Sequence, residues 1–152
     1  MAKVKGEDRK VKSKHKYLFA QVKKIETSSF VMNPAELRDF LPKGKKFVIK
    51  RVYWLKDWKG ETKSGQHCHT DNEEELFIVM GGSATIILDD NGEGKKRYKV
   101  GQNDTIFVPK FVWHGYDNAS KDFLLLALTT TSYDPERKGY CEDYKEFKKL
   151  LS

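Results

Sequence analysis

Apolar and polar residues alternate along a segment near the first third of the chain. From Phe47 to Leu55 the odd-numbered positions form one face and the even-numbered positions form the other, which is the period of a strand. Arg51 and Tyr53 share the face of Phe47, so polar groups are expected inside the fold if that face is the inner one. The pattern predicts a strand over residues 47–55.

Further short segments of this kind follow, with turn residues between them. We predict strands over residues 65–69, 75–80, 83–89, 95–100, 104–108 and 123–131. Asn91-Gly92 lies between two of these segments and is a strong hairpin signal. Many short strands joined by turns, with little helix between them, indicate an all-β antiparallel sandwich or barrel.

Helical signals lie on either side of this strand-rich region. Asn33-Pro34 predicts the start of a short N-terminal helix, with Asn33 as the cap. Near the other end, apolar and aromatic residues recur at helical spacing from Tyr140 to Leu151. We therefore predict one domain over residues 17–135 and a C-terminal amphipathic helix over residues 136–152, packed on the barrel or on a partner subunit.

The positive charge is concentrated at the N-terminus. Residues 1–16 carry seven basic and two acidic side chains, which accounts for five of the net charge of +7. We interpret this segment as a flexible, solvated tail and expect no nucleic-acid partner. The longest apolar stretch, residues 123–128, is far too short to cross a bilayer, and the N-terminus lacks an apolar signal segment. We expect no membrane association and a cytoplasmic location.

Candidate chemistry centres on two histidines. His67 and His69 flank Cys68 on a predicted strand, so both imidazoles point to one face and the cysteine to the other. Glu75 opens the next strand, and His114 follows much later in the chain. A small β-barrel gathers polar groups of this kind in an otherwise apolar interior. The spacing predicts an enzyme, with Cys68 a packing residue rather than a nucleophile.

Two motifs resemble those of the cupins. The first consists of His67-Cys68-His69, Glu75 and Gly82; the second runs from Val100 to Pro109 and continues through Trp113-His114 to Asn118. Within the cupins the chain is similar to the nucleotide-sugar 3,4-ketoisomerases over about residues 47–150. The segments that carry this similarity are Ile49–Trp54, Gly65–His69, Gly82-Ser83, Leu88–Asp90, Val112–His114, Tyr133-Asp134, Tyr140, Asp143-Tyr144 and Phe147.

The resemblance implies a cupin jelly-roll homodimer that moves the keto group of dTDP-4-keto-6-deoxyglucose from C4 to C3, for the synthesis of 3-amino-3,6-dideoxy sugars. It gives His67 and His69 the roles of base and proton shuttle, in an order that the sequence leaves open. Tyr53 is expected to hydrogen-bond the enolate oxygen and Arg51 to bind the diphosphate. The resemblance places the segment Trp113-His114 against the substrate, where the histidine influences the configuration at C4. No cofactor is expected.

Glu75 keeps other functions open. Ketoisomerases of this family tend to have glutamine at the position of Glu75, and a carboxylate there completes a set of three histidines and one acid. His67, His69, Glu75 and His114 would suit Fe(II), Mn(II), Ni(II) or Zn(II), as in a metal-dependent cupin oxygenase or isomerase. A nucleotide-sugar 3,5-epimerase and a non-catalytic sugar-binding cupin are the remaining alternatives.

Overall fold

The computed structural model describes residues 15–59 and 64–152, and these contain twelve strands and two short helices. The strands are β1 (Leu18–Gln21), β2 (Ile25–Glu26), β3 (Val31–Met32), β4 (Arg51–Leu55), β5 (Ser64–His69), β6 (Glu75–Gly81), β7 (Ser83–Asp89), β8 (Lys96–Gly101), β9 (Asp104–Val108), β10 (Trp113–Asp117), β11 (Leu124–Thr129) and β12 (Tyr140–Cys141). The helices are α1 (Leu37–Phe40) and α2 (Tyr144–Leu150). Within the described ranges, neither helix has the length and hydropathy of a membrane span.

The strands form two five-stranded sheets and a small hairpin. One sheet has the order β1-β9-β6-β11-β4, the other has the order β12-β5-β10-β7-β8, and β2 pairs with β3. The assigned strand pairs are antiparallel. Phe77 and Val79 from the first sheet and Ile86 and Leu88 from the second belong to one buried cluster. The two sheets therefore share a core, which confirms the predicted all-β architecture.

The predicted two-sidedness of β4 is confirmed. Arg51, Tyr53 and Leu55 are partly buried, whereas Val52 and Trp54 between them are exposed. The alternation predicted a strand that begins at residue 47, but the regular strand begins at Arg51. The preceding segment is irregular but stays close to the sheet, because the Lys50 amide donates to the carbonyl of Thr129.

The N-terminal helix is shorter than predicted. It begins at Leu37, since the side chain of Asn33 accepts a hydrogen bond from Asn103 Nδ2 and does not cap a helix at that point. Most of the predicted basic tail, residues 1–14, lies outside the described residues. At its end, His15 Nδ1 lies 3.1 Å from Asp90 Oδ1 and the Lys16 amide donates to the same carboxylate. These two residues are therefore held against the domain.

The C-terminal helix also begins later than predicted, at Tyr144. The Asp143 side chain caps it by accepting hydrogen bonds from two backbone amides, and this fixes where the helix can start. Tyr140, predicted to be helical, instead lies in β12 and pairs with His69 of β5. The helix packs on its own chain, where Phe147 shares a buried cluster with Cys68 and Trp113. The C-terminal segment thus brings a strand to the edge of the sheet that carries the histidine pair.

Candidate active site

A cavity of about 380 Å³ lies between the two sheets. Strands β4 and β6 contribute one wall, and strands β5, β10 and β12 contribute the other. The lining residues are Arg51, Tyr53, Leu55, Gly65, His67, Glu75, Phe77, His114, Tyr116, Tyr133, Arg137 and Tyr140. The sequence-predicted residues Arg51, Tyr53, His67, Glu75 and His114 therefore meet at one cavity.

The two histidines of β5 occupy different layers. His67 lines the cavity, whereas His69 is only 1% exposed and is not among the lining residues. Their Nε2 atoms are 3.3 Å apart, close enough to exchange a proton directly. His114 lies opposite His67 in the β5–β10 register, and their ring centroids are 4.5 Å apart. The geometry therefore gives His67 the contact with a ligand and His69 a place behind it.

Backbone carbonyls fix the protonation of two rings. His67 Nδ1 lies 3.1 Å from the carbonyl oxygen of Gly65, and His114 Nδ1 lies 3.0 Å from that of Val112. A carbonyl oxygen only accepts, so each Nδ1 carries a proton and donates. The neutral form of His67 therefore has its lone pair on Nε2, which faces His69. That is the form a general base requires.

Glu75 is the acceptor at the centre of the cluster. It is 2% exposed, and its Oε1 accepts a hydrogen bond of 2.8 Å from the Tyr53 hydroxyl. Its Oε2 lies 3.2 Å from His69 Nε2 and 3.1 Å from His114 Nε2. Both nitrogens of His114 thus face oxygen atoms, Nδ1 the carbonyl of Val112 and Nε2 the carboxylate of Glu75.

The same atoms meet the requirements of a metal site. The ligand nitrogens of His67, His69 and His114 lie within 4.8 Å of one another, and Glu75 contributes an oxygen at 3.1–3.2 Å from two of them. The Nδ1 contacts of His67 and His114 leave Nε2 free to ligate, as in many metal-bound imidazoles. The donor set fits a divalent transition metal.

Burial and the neighbouring charges set the proton affinities. Burial, aided by His114 and His69, lowers the pKa of His67 to about 2, so this ring is neutral at working pH. Burial alone would raise the pKa of Glu75, but hydrogen bonds from His114 and His69 outweigh it and hold this pKa well below its usual range. Burial raises the pKa of Tyr53 far above 10, and Glu75 adds to the shift.

Arg51 is held by an acid of its own chain. Its Nη2 donates to Glu73 Oε1 in a buried ion pair, and Glu73 Oε2 lies 3.4 Å from His69 Nδ1. Nε and Nη1 of Arg51 have no hydrogen-bond partner among the described residues. One edge of the guanidinium is thus fixed by Glu73, and the remaining donors stay free beside the cavity. The predicted contact of Arg51 with a diphosphate remains a prediction.

Trp113 does not lie where the substrate was expected. It is 2% exposed and packs against Tyr144 and Phe147, with its Nε1 donating to Gln66 Oε1. Neighbouring residues of a strand point to opposite faces, so Trp113 faces α2 because His114 faces the cavity. Its position anchors β10 to the helix, and this corrects its assignment as a substrate-binding residue.

Four of the polar or charged residues that line the cavity had no role predicted from the sequence. Tyr133, Arg137 and Tyr140 come from the C-terminal segment, and Tyr116 from β10. Tyr116 could have been found from its spacing, because it lies two residues after His114 and so shares its face. No such signal marks Tyr140, whose helical spacing with Tyr144 conceals its pairing with His69.

Comparisons with known proteins agree on one family. The model of the FdtA family, described as WxcM-like, C-terminal, matches residues 22–152. TDP-4-oxo-6-deoxy-α-D-glucose-3,4-oxoisomerase of Aneurinibacillus thermoaerophilus is 33% identical over 106 residues, which cover 70% of this chain and 74% of that protein.

Two solved structures of sugar ketoisomerases have the same fold. The TDP-fucose-3,4-ketoisomerase WlaRA of Campylobacter jejuni aligns with a TM-score of 0.75 and 31% identity, over 90% of this chain and 96% of that one. A 3,4-ketoisomerase of Helicobacter canadensis aligns with a TM-score of 0.76 and 28% identity, over 90% of this chain and 98% of that one. The predicted cupin-type fold is confirmed by these neighbours. The chain belongs to the FdtA family.

Proposed function

We propose that this protein is a sugar 3,4-ketoisomerase that converts dTDP-4-keto-6-deoxyglucose into a dTDP-3-keto-6-deoxyhexose. The observation that carries the proposal is the histidine pair: a neutral imidazole at the cavity wall, with a second imidazole 3.3 Å behind it. Such a pair can take a proton from one carbon and return it to the next. The Aneurinibacillus relative is named for activity on the same substrate class, which supports the proposal.

His67 is the proposed base. It removes the C3 proton, the C–H electron pair forms the C3=C4 double bond, and the carbonyl pair moves to the C4 oxygen. The proton of the C3 hydroxyl then passes to the C4 oxygen as the new carbonyl forms at C3, and the proton held by His67 is returned to C4. Burial lowers the pKa of His67, so the ring is neutral before the reaction and has a lone pair for the C3 proton. His69 relays protons behind it, and Glu75 fixes the orientation of His69.

The walls of the cavity suit a nucleotide sugar. Arg51 and Arg137 line it and supply positive charge for a diphosphate. Tyr133 and Tyr140 offer aromatic faces, and the guanidinium of Arg137 lies 4.1 Å from the centroid of the Tyr140 ring. Leu55 belongs to an apolar part of the lining that suits the C6 methyl group of a 6-deoxy sugar.

Incubation with dTDP-4-keto-6-deoxyglucose tests the activity, with the sugar followed by ¹³C NMR. We expect the keto signal to move from C4 to C3. In deuterated buffer a ketoisomerase leaves C5 unlabelled, whereas a 3,5-epimerase introduces deuterium at C5 as well as at C3. A keto signal that stays at C4 rejects the proposal, and binding without turnover supports a sugar-binding cupin.

We propose catalysis without a metal. The alternative that the site geometry favours is a metal-dependent isomerase, because four possible ligands converge in it: His67, His69, His114 and Glu75. A metal held by these four side chains would polarise the substrate carbonyl as a Lewis acid. Elemental analysis of freshly purified protein and titration with Co(II), followed by its visible absorption, separate the two proposals. Stoichiometric metal and loss of turnover after chelation would support a metal-dependent isomerase. Full turnover by the metal-free protein would support the histidine mechanism.

We also propose that the protein is a homodimer, with a cytoplasmic location remaining an expectation from the sequence. Strand β4 ends the order of its sheet and exposes apolar side chains on its outer face. Val52 is 49% exposed and Trp54 is 61% exposed. An edge strand with exposed apolar side chains is a liability for a monomer and suits burial against a second copy.

A further inference from the structure

Tyr53 and Tyr116 are two of the four tyrosines that line the cavity, and their hydroxyls differ in whether the proton is already engaged. The Tyr53 hydroxyl donates to Glu75 Oε1 at 2.8 Å. A phenol has a single O–H, so the proton of Tyr53 is already engaged. Tyr53 can therefore accept a hydrogen bond from a ligand, but it donates to an enolate oxygen only if it gives up Glu75.

The Tyr116 hydroxyl has no such commitment. Tyr116 is 3% exposed, and its hydroxyl has no hydrogen-bond partner within residues 15–59 and 64–152. Its ring meets Phe77 edge-on, with centroids 5.6 Å apart, and also contacts Phe123. Buried polar groups are nearly always paired, so an orphaned hydroxyl at a cavity wall points to a ligand that supplies the acceptor.

Tyr116 lies on the same wall of the cavity as His114. It lies two residues after His114 on β10 and so shares its face, and both rings contact Phe77. His114 in turn lies opposite His67, the proposed base. A ligand within reach of His67 therefore occupies the same cavity that the Tyr116 side chain lines.

From this geometry we infer that Tyr116 is a further catalytic residue, whose O–H donates a hydrogen bond to the keto oxygen of the substrate and stabilises the enediolate. The inference rests on the proposed ketoisomerase function and adds to it. Removal of the C3 proton places negative charge on the C4 oxygen, and a donor already aimed at that oxygen binds the transition state better than the ketone. The step involves no net transfer of the tyrosine proton.

Tyr116→Phe tests the inference, because it removes only the hydroxyl. We expect kcat to fall by about 10²-fold with little change in KM, as for loss of one oxyanion donor. The melting temperature should stay the same or rise, since the lost hydroxyl has no partner within the described chain. Tyr17→Phe is the matched control: its buried hydroxyl is 2.7 Å from that of Tyr98, so it should lower the melting temperature and leave kcat unchanged.

The outcomes separate this inference from the proposed function. Wild-type protein that does not convert the substrate rejects both. Wild-type turnover with an equal kcat for Tyr116→Phe rejects the role of Tyr116 alone. A larger loss of melting temperature for Tyr116→Phe than for Tyr17→Phe would assign the hydroxyl a structural partner and would also overturn it.

Discussion

Glu75 is the residue on which the arrangement of the site depends. A carboxylate that is 2% exposed needs compensation, and it receives it from Tyr53, His69 and His114. The compensation works in both directions, because the anion also orients the imidazoles that contact it. A glutamine would have only one oxygen acceptor for the three side chains that contact Glu75. The position thus links the stability of the buried cluster to the protonation of the rings.

His67→Asn tests the proposed role of a single residue, His67, as the base in the proton transfer. We expect kcat for keto migration to fall by about 10²- to 10⁴-fold, which is the usual contribution of a positioned acid or base. Binding of the nucleotide sugar should persist, because Arg51 and Arg137 are unchanged. Turnover is measured by NMR, and binding by calorimetry.

His15→Asn is the matched control for His67→Asn, since His15 contacts Asp90 and is not among the residues that line the cavity. This control should retain the wild-type kcat. Retention of kcat by His67→Asn as well would place the base elsewhere and would reject the assignment of His67.

The pKa of His67 also predicts how stability depends on pH. Folding lowers this pKa to about 2, whereas the unfolded chain has a value of about 6.5. Below pH 6.5 the unfolded state therefore binds more protons at this position, and the folded state loses stability as the pH falls. A single group of this kind contributes a slope of up to about 1.4 kcal/mol per pH unit.

We expect the free energy of unfolding in urea, measured between pH 6.5 and pH 4.5, to fall less steeply for His67→Asn than for the wild type. Parallel slopes would contradict the lowered pKa.

At the scale of elements, the alternation of residues between the two faces of a strand was the most informative signal for which side chains lie together. It predicted that Arg51 and Tyr53 share one face of β4 and that His67 and His69 share a face of β5, and the structure confirms both pairings and shows that the face of Arg51 and Tyr53 is the inner one. Period-two patterns are strong where one face is buried and the other is solvated. The short edge strand β12 could not be predicted in this way, because two residues are too few to show a period.

Helix α2 fixes that edge strand, and one residue carries most of its packing. Phe147 is fully buried and contacts Trp113 and Tyr144. Phe147→Ala should lower the free energy of unfolding by about 3–5 kcal/mol, as expected for loss of a buried aromatic side chain. It should also weaken substrate binding, since β12 carries Tyr140 to the cavity. Urea unfolding and calorimetry measure the two effects.

Leu150→Ala is the control on the same helix. Leu150 is 49% exposed, so its truncation should change stability by less than about 0.5 kcal/mol. An equal effect of the two substitutions would mean that the helix contributes through its backbone and not through the Phe147 contact.

At the scale of the whole molecule, the sequence predicted the all-β architecture but only seven of the twelve strands of the described residues, and it was poor at predicting how distant segments meet. The two motifs predicted that β5 and β10 converge, as they do in the pairing of His67 with His114. The contribution of Tyr133, Arg137 and Tyr140 depends on the path of the chain after β11, which local patterns do not determine. Contacts of this kind follow from the packing of complete sheets and not from any period along the chain.

The outer face of β4 makes the proposed dimer testable. Trp54→Arg places a charge at a position that is 61% exposed in the single chain, so the folded monomer should tolerate it. If a second copy covers this face, the buried unpaired charge should raise the dimer dissociation constant by at least tenfold. Sedimentation velocity should then show wild-type protein at twice the mass of one chain and the variant shifted toward a single chain.

Leu150→Arg introduces the same charge at another exposed apolar position, on α2. It should leave the sedimentation of the dimer unchanged if β4 forms the interface. A wild-type protein that sediments as one chain would reject the dimer, and a shift caused by Leu150→Arg alone would move the interface to α2.

Because the cavity opens between sheets of one chain, the Trp54→Arg monomer should still bind the nucleotide sugar. Loss of binding together with the dimer would instead show that a partner chain completes the site.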